Sequence, residues 1–419
     1  MVQVNNRVLV PIVVAGIVLA AIMLAFIPRT LVVPDNYAKI QDAIDNARSG
    51  DTVYVRKGIY REALAIEKTL SLLGENSRDT IIINPHERYA PPTIRVSADK
   101  VTISGFTILG GRRQSVGINL ETYGAIPQPS ACRIIGNNIL NHTVGISTYG
   151  GSNLLISENN VTENSQYGIY HCSSNSVISR NNVEENGWAG IIVDGCSDLT
   201  IKGNNIAGNG VDETGPSEDR GGVLLRWTGP FYVYGNIIAY NDRYGISFGE
   251  GCSGSRVYGN NIMGNGIGVD LLNFVIGEGV DKIGSGNVVW QNNFVDNLQQ
   301  ALVEREYTYA GNFEDHEWGT NGTDIVSWDD GKEGNFWSDY AGNDTDRDGI
   351  GDTPYIIDEV RRDNYPLMFP FDIENNNMVL PSDETETLTI PILVAEIVLA
   401  AVAVAAGLAL LLRFKKRKR

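Results

Sequence analysis

Asp344, Asp346, Asp348 and Asp352 alternate around Gly349 near the carboxyl end of the chain. Alternating carboxylates on a glycine turn converge on one point, and oxygen-only ligands suit Ca²⁺. They fill positions one, three, five and nine of a calcium loop, while Tyr355 stands at position twelve, where a bidentate Glu is expected. The motif reads either as a structural Ca²⁺ site or as an acidic turn without metal.

A second group emerges when a recurring Gly-aliphatic pair sets the alignment. Four residues beyond its glycine stand Cys172, Asp194 and Arg226, with His171 and Glu250 one position to either side. On parallel strands about 4.8 Å apart these residues form a file of carboxylate, guanidinium and imidazole. Asp194 and Glu250, two coils apart, approach the roughly 5 to 9 Å between carboxyls that glycoside hydrolysis uses. Asp194, Arg226 and Glu250 are therefore candidate catalytic residues, and the competing reading is an ion-pair ladder in which Asp194 and Arg226 satisfy each other. His171 and Cys172, with Cys196 nearby, make the one soft constellation that suits copper. His86, His142 and His316 come without a Met-rich or His-rich tract. Trp188, Trp227, Tyr167 and Tyr244 lie near the same glycine turns, where flat rings either stack on sugars or pack loops.

These groups depend on a repeated phrase that must align them. An aliphatic residue, two polar or small residues, Asn, any residue and an apolar residue recur seven times, centred on Asn137, Asn159, Asn181, Asn204, Asn236, Asn260 and Asn292. A second Asn follows five residues later in six copies: Asn164, Asn186, Asn209, Asn241, Asn265 and Asn297. The spacings of the first asparagines are 22, 22, 23, 32, 24 and 32 residues, a period that signals a solenoid. Short alternating apolar runs broken by Asn and Gly predict strands and turns. The expected fold is all-β, a parallel β-helix of about ten coils. Its asparagines are expected to take the left-handed corner conformation and to hydrogen-bond from coil to coil. Leucine-rich repeats share the period but require Leu at fixed sites.

The formal net charge is −17. With the basic residues of 413–419, Arg7 and Glu396 set aside, residues 28–388 carry −23, which excludes electrostatic nucleic-acid binding. Cys132, Cys172, Cys196 and Cys252 show neither a disulfide framework nor a zinc spacing. Cys172 and Cys196 occupy similar turns and read as one disulfide or as stacked free thiols.

Ile40, Ala43, Ile44 and Ala47 share one face of a short helix that Gly50 ends, with a strand over Thr52–Val55. This helix is the natural lid for the open end of a solenoid. Here the chain resembles a family. Ile40-Gln41-Asp42-Ala43-Ile44, Gly50-Asp51-Thr52-Val53-Tyr54-Val55, Gly58-Ile59-Tyr60-Arg61-Glu62 and Leu70-Ser71-Leu72-Leu73-Gly74 resemble the opening of NosD-like and pectin-esterase-like right-handed β-helix proteins. Gly334-Asn335-Phe336-Trp337-Ser338-Asp339-Tyr340, the acidic loop and Asp363-Asn364-Tyr365-Pro366-Leu367 are similar to the ending of NosD-like surface proteins. The resemblance implies a right-handed coil and an association with assembly of a copper site in an exported reductase. It does not supply the acid and base motifs of β-helix lyases or the paired Asp of the esterases.

The organisation read from this is an amino-terminal anchor or signal (1–27), a cap and first coils (28–96), the repeats (97–300), a closing coil with its cap and acidic loop (301–371), a stalk (372–388) and a second apolar span with a basic tail (389–419). The apolar segment 8–27 is long enough to span a bilayer, and Glu396 sits in the outer part of the second span. The basic tail is expected in the cytoplasm and residues 28–388 outside. Asn141, Asn160, Asn321 and Asn343 begin Asn-x-Ser/Thr triplets, glycosylation acceptors or chance in an Asn-rich repeat. Three extra loops, at about 121–130, 210–221 and 270–286, are natural places for binding. After residue 300 the phase of the repeat is expected to be lost, with residues 301–332 a terminal loop region and an imperfect final coil. The expected role is a membrane-anchored surface module for binding or structure, with carbohydrate or a membrane protein as partner. Polysaccharide cleavage or epimerisation and copper handling are the alternatives.

Overall fold

The repeat winds into three long parallel sheets, one strand from each per coil. The first has 12 strands from Thr30–Val33 to Val326–Ser327, the second 11 from Gly58–Tyr60 to Phe336–Trp337, and the third 10 from Leu64–Ile66 to Gln299–Thr308. Parallel crossovers of this kind are right-handed. The computed structural model describes residues 27–86, 91–111, 115–121, 128–227, 229–249, 252–275, 286–308 and 326–373. Pro28–Asn375 form one compact unit. Apart from Ile27, both apolar terminal segments, Glu396 and the stalk from residue 374 onward lie outside the described residues. Among the described residues no helix is long and apolar enough to cross a membrane.

Register follows the sequence phrase. Ile134, Ile156, Ile178, Ile201, Val233, Val257 and Val289 pair in one file, and all are buried in the continuous core. Between the first two sheets the seven marker asparagines stand buried in a line. Each donates an Nδ2–H to the Oδ1 of the asparagine one coil on, at 2.9–3.1 Å. That same Oδ1 also accepts the backbone N–H of the preceding asparagine. The second asparagines form a parallel ladder from Asn164 to Asn297. His142 takes the rung before Asn164, its N–H donating to the Asn164 Oδ1.

The left-handed corner lies one residue earlier than expected. Glu158, Arg180, Gln291, Gly136, Gly203, Gly235 and Gly259 have positive φ, and each immediately precedes a ladder asparagine. This placement leaves the amide free to point inward, and left-handed backbone costs an L-residue about 1–2 kcal/mol. The glycine of the Gly-aliphatic pair serves close approach: a Cβ on Gly168 would lie 2.6 Å from the Gly190 carbonyl oxygen.

Both ends are sealed by residues of the family motifs. The cap helix, Ile40–Asn46, buries Ile40, Ala43 and Ile44 as expected. Glu62 accepts the N–H groups of Ile40 and Gln41, capping the helix from the next turn of chain. The Gln41 amide both donates to and accepts from Ala65, covering the open edge of the third sheet. Burial pushes the Asp51 carboxyl up, but bonds from the Arg29 side chain and the Arg29 and Arg48 amides hold it below the usual range.

At the other end the expected final coil forms, and it keeps the ladder in phase. After the strand Gln299–Thr308, Val326–Ser327 and Phe336–Trp337 complete a coil, and Asn335 adds an eighth rung. The sequence hid this rung because Lys332, not an apolar residue, stands three positions before it. Phe294, Trp337 and Tyr355 stack face to face across the end of the core. Asp363, fully buried, ends the asparagine ladder. It accepts the Asn335 N–H at 2.7 Å, the Trp337 Nε1–H at 2.9 Å and the Tyr365 N–H at 3.0 Å.

Burial pushes the Asp363 carboxyl up to about 6, against those donors. An acid raised above its unfolded value of about 3.9 binds its proton more tightly in the fold. Its contribution is greatest below pH 4 and is lost as pH rises through 6. Acidifying from pH 7 to 5 should therefore add about 1–1.5 kcal/mol of stability from this group. Urea unfolding at both pH values should show the gain in wild type and lose it in Asp363→Asn; an unchanged pH slope in the variant would contradict the assignment.

Candidate functional site

The third sheet carries most of the candidate residues. In chain order the insertion at 121–130 connects it to the first sheet and loop 210–221 connects the second sheet to it, while the strand Ile267–Val275 continues through residues expected in the third loop, so that insertion begins at 276 and not at 270. Residues 122–127 and 276–285 lie outside the described residues.

Strand alternation divides the file. Ile169, His171 and Ser173 point into the coil, while Tyr170 and Cys172 lie on the outer face. The pairing sets Tyr149 beside Cys172 and Asp194 beside Arg226, and Cys172 reaches the neighbouring coil by donating its thiol hydrogen to the Asp194 carbonyl at 2.6 Å. The aligned file of Cys172, Asp194 and Arg226 is as expected. Its ion-pair ladder is not: Arg226 turns away to Asp219 of loop 210–221, at 2.5 Å, and donates also to the Glu218 carbonyl. Asp194 instead accepts from the Tyr170 hydroxyl at 3.1 Å. Tyr167 donates to the other Asp219 oxygen at 2.6 Å, so one loop carboxylate pins Tyr167 and Arg226 together. Burial and the neighbouring carboxylates raise the Tyr167 and Tyr170 hydroxyls above the ordinary tyrosine range, leaving both as donors. Glu250 lies outside the described residues.

The four ring residues separate in the same way. Tyr244 is fully buried with Ala189, Ile192 and Leu224 in an apolar cluster on the outer face of the sheet. Tyr167 and Tyr170 pack against that cluster, and Trp188 meets Tyr167 edge-on at 5.4 Å. Gly215 of the loop lies against the Trp188 indole. These rings hold the loop down, so Tyr244 is not a stacking platform. Trp227, 46% exposed, and Tyr149, 56% exposed, are the open rings on this side. Sequence reading passed over Tyr170, whose signal is its place two residues after the glycine of a Gly-aliphatic pair, on the outward side.

His171 and Cys172 cannot ligate one ion, because successive strand residues face opposite ways. His171 is sealed in the coil between the Thr148 hydroxyl and the Ser173 carbonyl, and burial lowers it to about 4. Burial pushes the Cys172 thiol up to about 11 and Cys196 to about 12, far from the thiolate a soft metal needs. All four cysteines are free thiols.

The acidic loop assembles in part. Ligand oxygens of Asp344, Asp346 and Asp348 lie within 4.8 Å of one another. Asp344 accepts the N–H groups of Arg347, Asp348 and Gly349, the fold of a tight turn around Gly349. Asp352 stands outside this group and binds Thr345 through its N–H and hydroxyl. Of the Asn-x-Ser/Thr sites, Asn141 and Asn343 are exposed, Asn160 is half-buried within a strand, and Asn321 lies outside the described residues.

The fold and its outer face define a right-handed parallel β-helix with a loop-flanked sheet. Residues 44–218 and 215–342 match the family described as "Periplasmic copper-binding protein (NosD)", and the chain belongs to that family. It is 35% identical over 118 residues to a cell surface glycoprotein of Methanothermus fervidus, covering 27% of this chain. The chain spans 18% of that relative's length. Among solved structures, pectate lyase Pel9A is similar with a TM-score of 0.50 at 12% identity, covering 84% of this chain and 90% of that one. The A-module of mannuronan C-5 epimerase AlgE4 from Azotobacter vinelandii is similar with a TM-score of 0.49 at 17% identity, covering 65% and 94%.

Because His171 is sealed and Cys172 faces the other way, His171→Ala and Cys172→Ser should leave Cu(I) affinity unchanged within a factor of about two. Titration of the full chain against a competing chelator checks this; a drop of tenfold or more in either variant would restore the pair as ligands.

Proposed function

We propose that the protein is an extracytoplasmic surface module that binds glycan on the outer face of its third sheet. The observation that carries the reading is the file Tyr149, Cys172, Asp194 and Arg226, which ends beside the exposed ring of Trp227 and is walled by loop 210–221. Rungs about 4.8 Å apart present hydroxyl, carboxylate and guanidinium groups beside two open aromatic faces, a combination suited to stacked and hydrogen-bonded sugar rings. Binding is favoured over cleavage because Asp194 and Arg226 are each engaged, with Tyr170 and Asp219, in pairs that hold the loop and sheet together. A role outside the cytoplasm is supported by the family's printed description as periplasmic and by the cell surface relative; the proposal adds anchors in the apolar segments at both ends, with the basic tail inside. Glycosylation at Asn141 and Asn343, the exposed acceptors, fits the same location.

On a glycan array the full chain should bind a restricted set of polysaccharides, and Trp227→Ala should weaken that binding roughly tenfold, the worth of one stacked ring. No binding to any glycan, with the protein folded, would end the reading.

Ca²⁺ is the metal this reading assigns to Asp344, Asp346 and Asp348, with the ion fixing the terminal cap. The Asp348 charge pushes the Asp346 carboxyl up, a like-charge repulsion that a cation relieves. Calorimetry should show Ca²⁺ heats that vanish in Asp346→Ala and Asp348→Ala, whereas equal heats in the variants would remove the ion.

A further inference from the structure

The second sheet carries an outward file of carboxamides that neither ladder of the core uses. Strand pairing aligns Asn138, Asn160, Asn182 and Asn205 on successive coils. Ile237 interrupts, and Asn261 and Asn293 resume the file. These side chains alternate with the core-facing Ile139, Val161, Val183 and Ile206, so they lie on the outer face, and the first four are half-buried there.

The file is only partly satisfied within itself. Asn205 donates to the Asn182 Oδ1 at 2.7 Å and to the Glu184 carboxylate at 2.6 Å, Asn182 donates to the Asn160 Oδ1 at 2.8 Å, and Asn138 donates to the Thr107 hydroxyl at 3.2 Å. The series then stops. The Asn160 Nδ2 and the Asn138 Oδ1, a donor and an acceptor on neighbouring rungs, have no partner among the described residues. The flanking file, Leu140, Thr162, Glu184 and Ala207, is low and bears one charge, in a chain whose net charge is −17.

One rung is occupied. The Asn293 amide accepts the Phe371 N–H at 2.7 Å and donates to the Phe371 carbonyl at 3.0 Å. At this rung, beyond the Ile237 interruption, a paired donor and acceptor hold the protein's own chain against the face.

We propose that the rungs from Asn138 to Asn205 form a binding strip for a neutral, polyhydroxylated glycan running along the coil axis. Carboxamides offer hydroxyl groups both a donor and an acceptor and carry no charge to exclude a neutral polymer. Their repeat of about 4.8 Å is close to that of an extended glycan, whereas an extended peptide repeats its facing groups about every 6.6–6.8 Å and falls out of step. The strip rests on the reading that the ligand is a glycan, but it lies on a different sheet from the Trp227 file and extends that reading to a second face.

Retention of the full chain on microcrystalline cellulose and on chitin, with alginate as the acidic control, tests the strip. The variants are Asn138→Ala with Asn160→Ala, and separately Ala207→Arg, which crowds the strip without touching an amide. Both should reduce retention on a neutral polymer about tenfold, with urea unfolding midpoints close to wild type. Full retention by both variants, with loss in Trp227→Ala, would overturn the strip and leave the third-sheet reading intact. Absence of wild-type retention on either neutral polymer would overturn the strip, and the glycan array would then decide separately about the first reading. Competition by an unstructured peptide but not by soluble cello-oligosaccharide would overturn it in favour of a polypeptide occupant.

Discussion

A one-directional chain of amide hydrogen bonds organises this molecule. Within each run, a ladder asparagine passes an Nδ2–H forward to the next coil and receives two N–H donors from the asparagine behind. Buried polar groups are costly unless paired, about 1–3 kcal/mol for each one left open, so the ladder fixes the number of residues per coil at that corner. Insertions avoid the corner between the first two sheets, where the seven marker asparagines lie and the connections keep constant length. The insertions at 121–130 and 276–286 join the third sheet to the first, and loop 210–221 follows Asn209 of the second ladder on the way into the third sheet. Bonds in series also polarise one another, which rewards an unbroken run.

A directional chain needs two different ends. At the start, Phe106 offers only its backbone N–H to the Asn137 Oδ1, and its own side chain packs in the core. At the finish the last acceptor must donate nothing onward, and Asp363 meets that need because an ionised carboxylate only accepts. The family's opening and closing motifs thereby gain a physical meaning. Glu62, Gln41 and Asp51 complete the first turn of chain, and Asp363 with Trp337 and Tyr355 completes the last. They build the rod and leave its ligand to the faces between.

On those faces, the alternation of the strand decides what chemistry is possible. It sends His171 inward to be sealed as a neutral ring and Cys172 outward, which dissolves the copper pair that adjacency suggests. It gathers Tyr167 and Tyr170 of one strand with Tyr244 of a later coil into a patch against which the 210–221 loop packs. Asp219 then draws Arg226 off the sheet, so the partner of that guanidinium comes from a loop seven residues earlier in the chain and not from the neighbouring rung.

Sequence alone determined the coil, its register, the buried asparagine file, the lid helix with its apolar face and the strand at Thr52–Val55. Each is set by local periodicity and by residue types that tolerate one environment. The eighth rung at Asn335 is not legible in the sequence because Lys332 fills its preceding apolar position, and the left-handed corners are not distinguishable there from the asparagines because both residues sit at the turn. Tertiary structure alone decided who pairs with whom across the surface. Asp363 with Asn335, Asp219 with Arg226 and Tyr167, and Asn293 with Phe371 join residues whose separation in sequence carries no periodic signal. Such contacts depend on where loops fold back, and a one-dimensional repeat encodes the rod they return to without encoding their path.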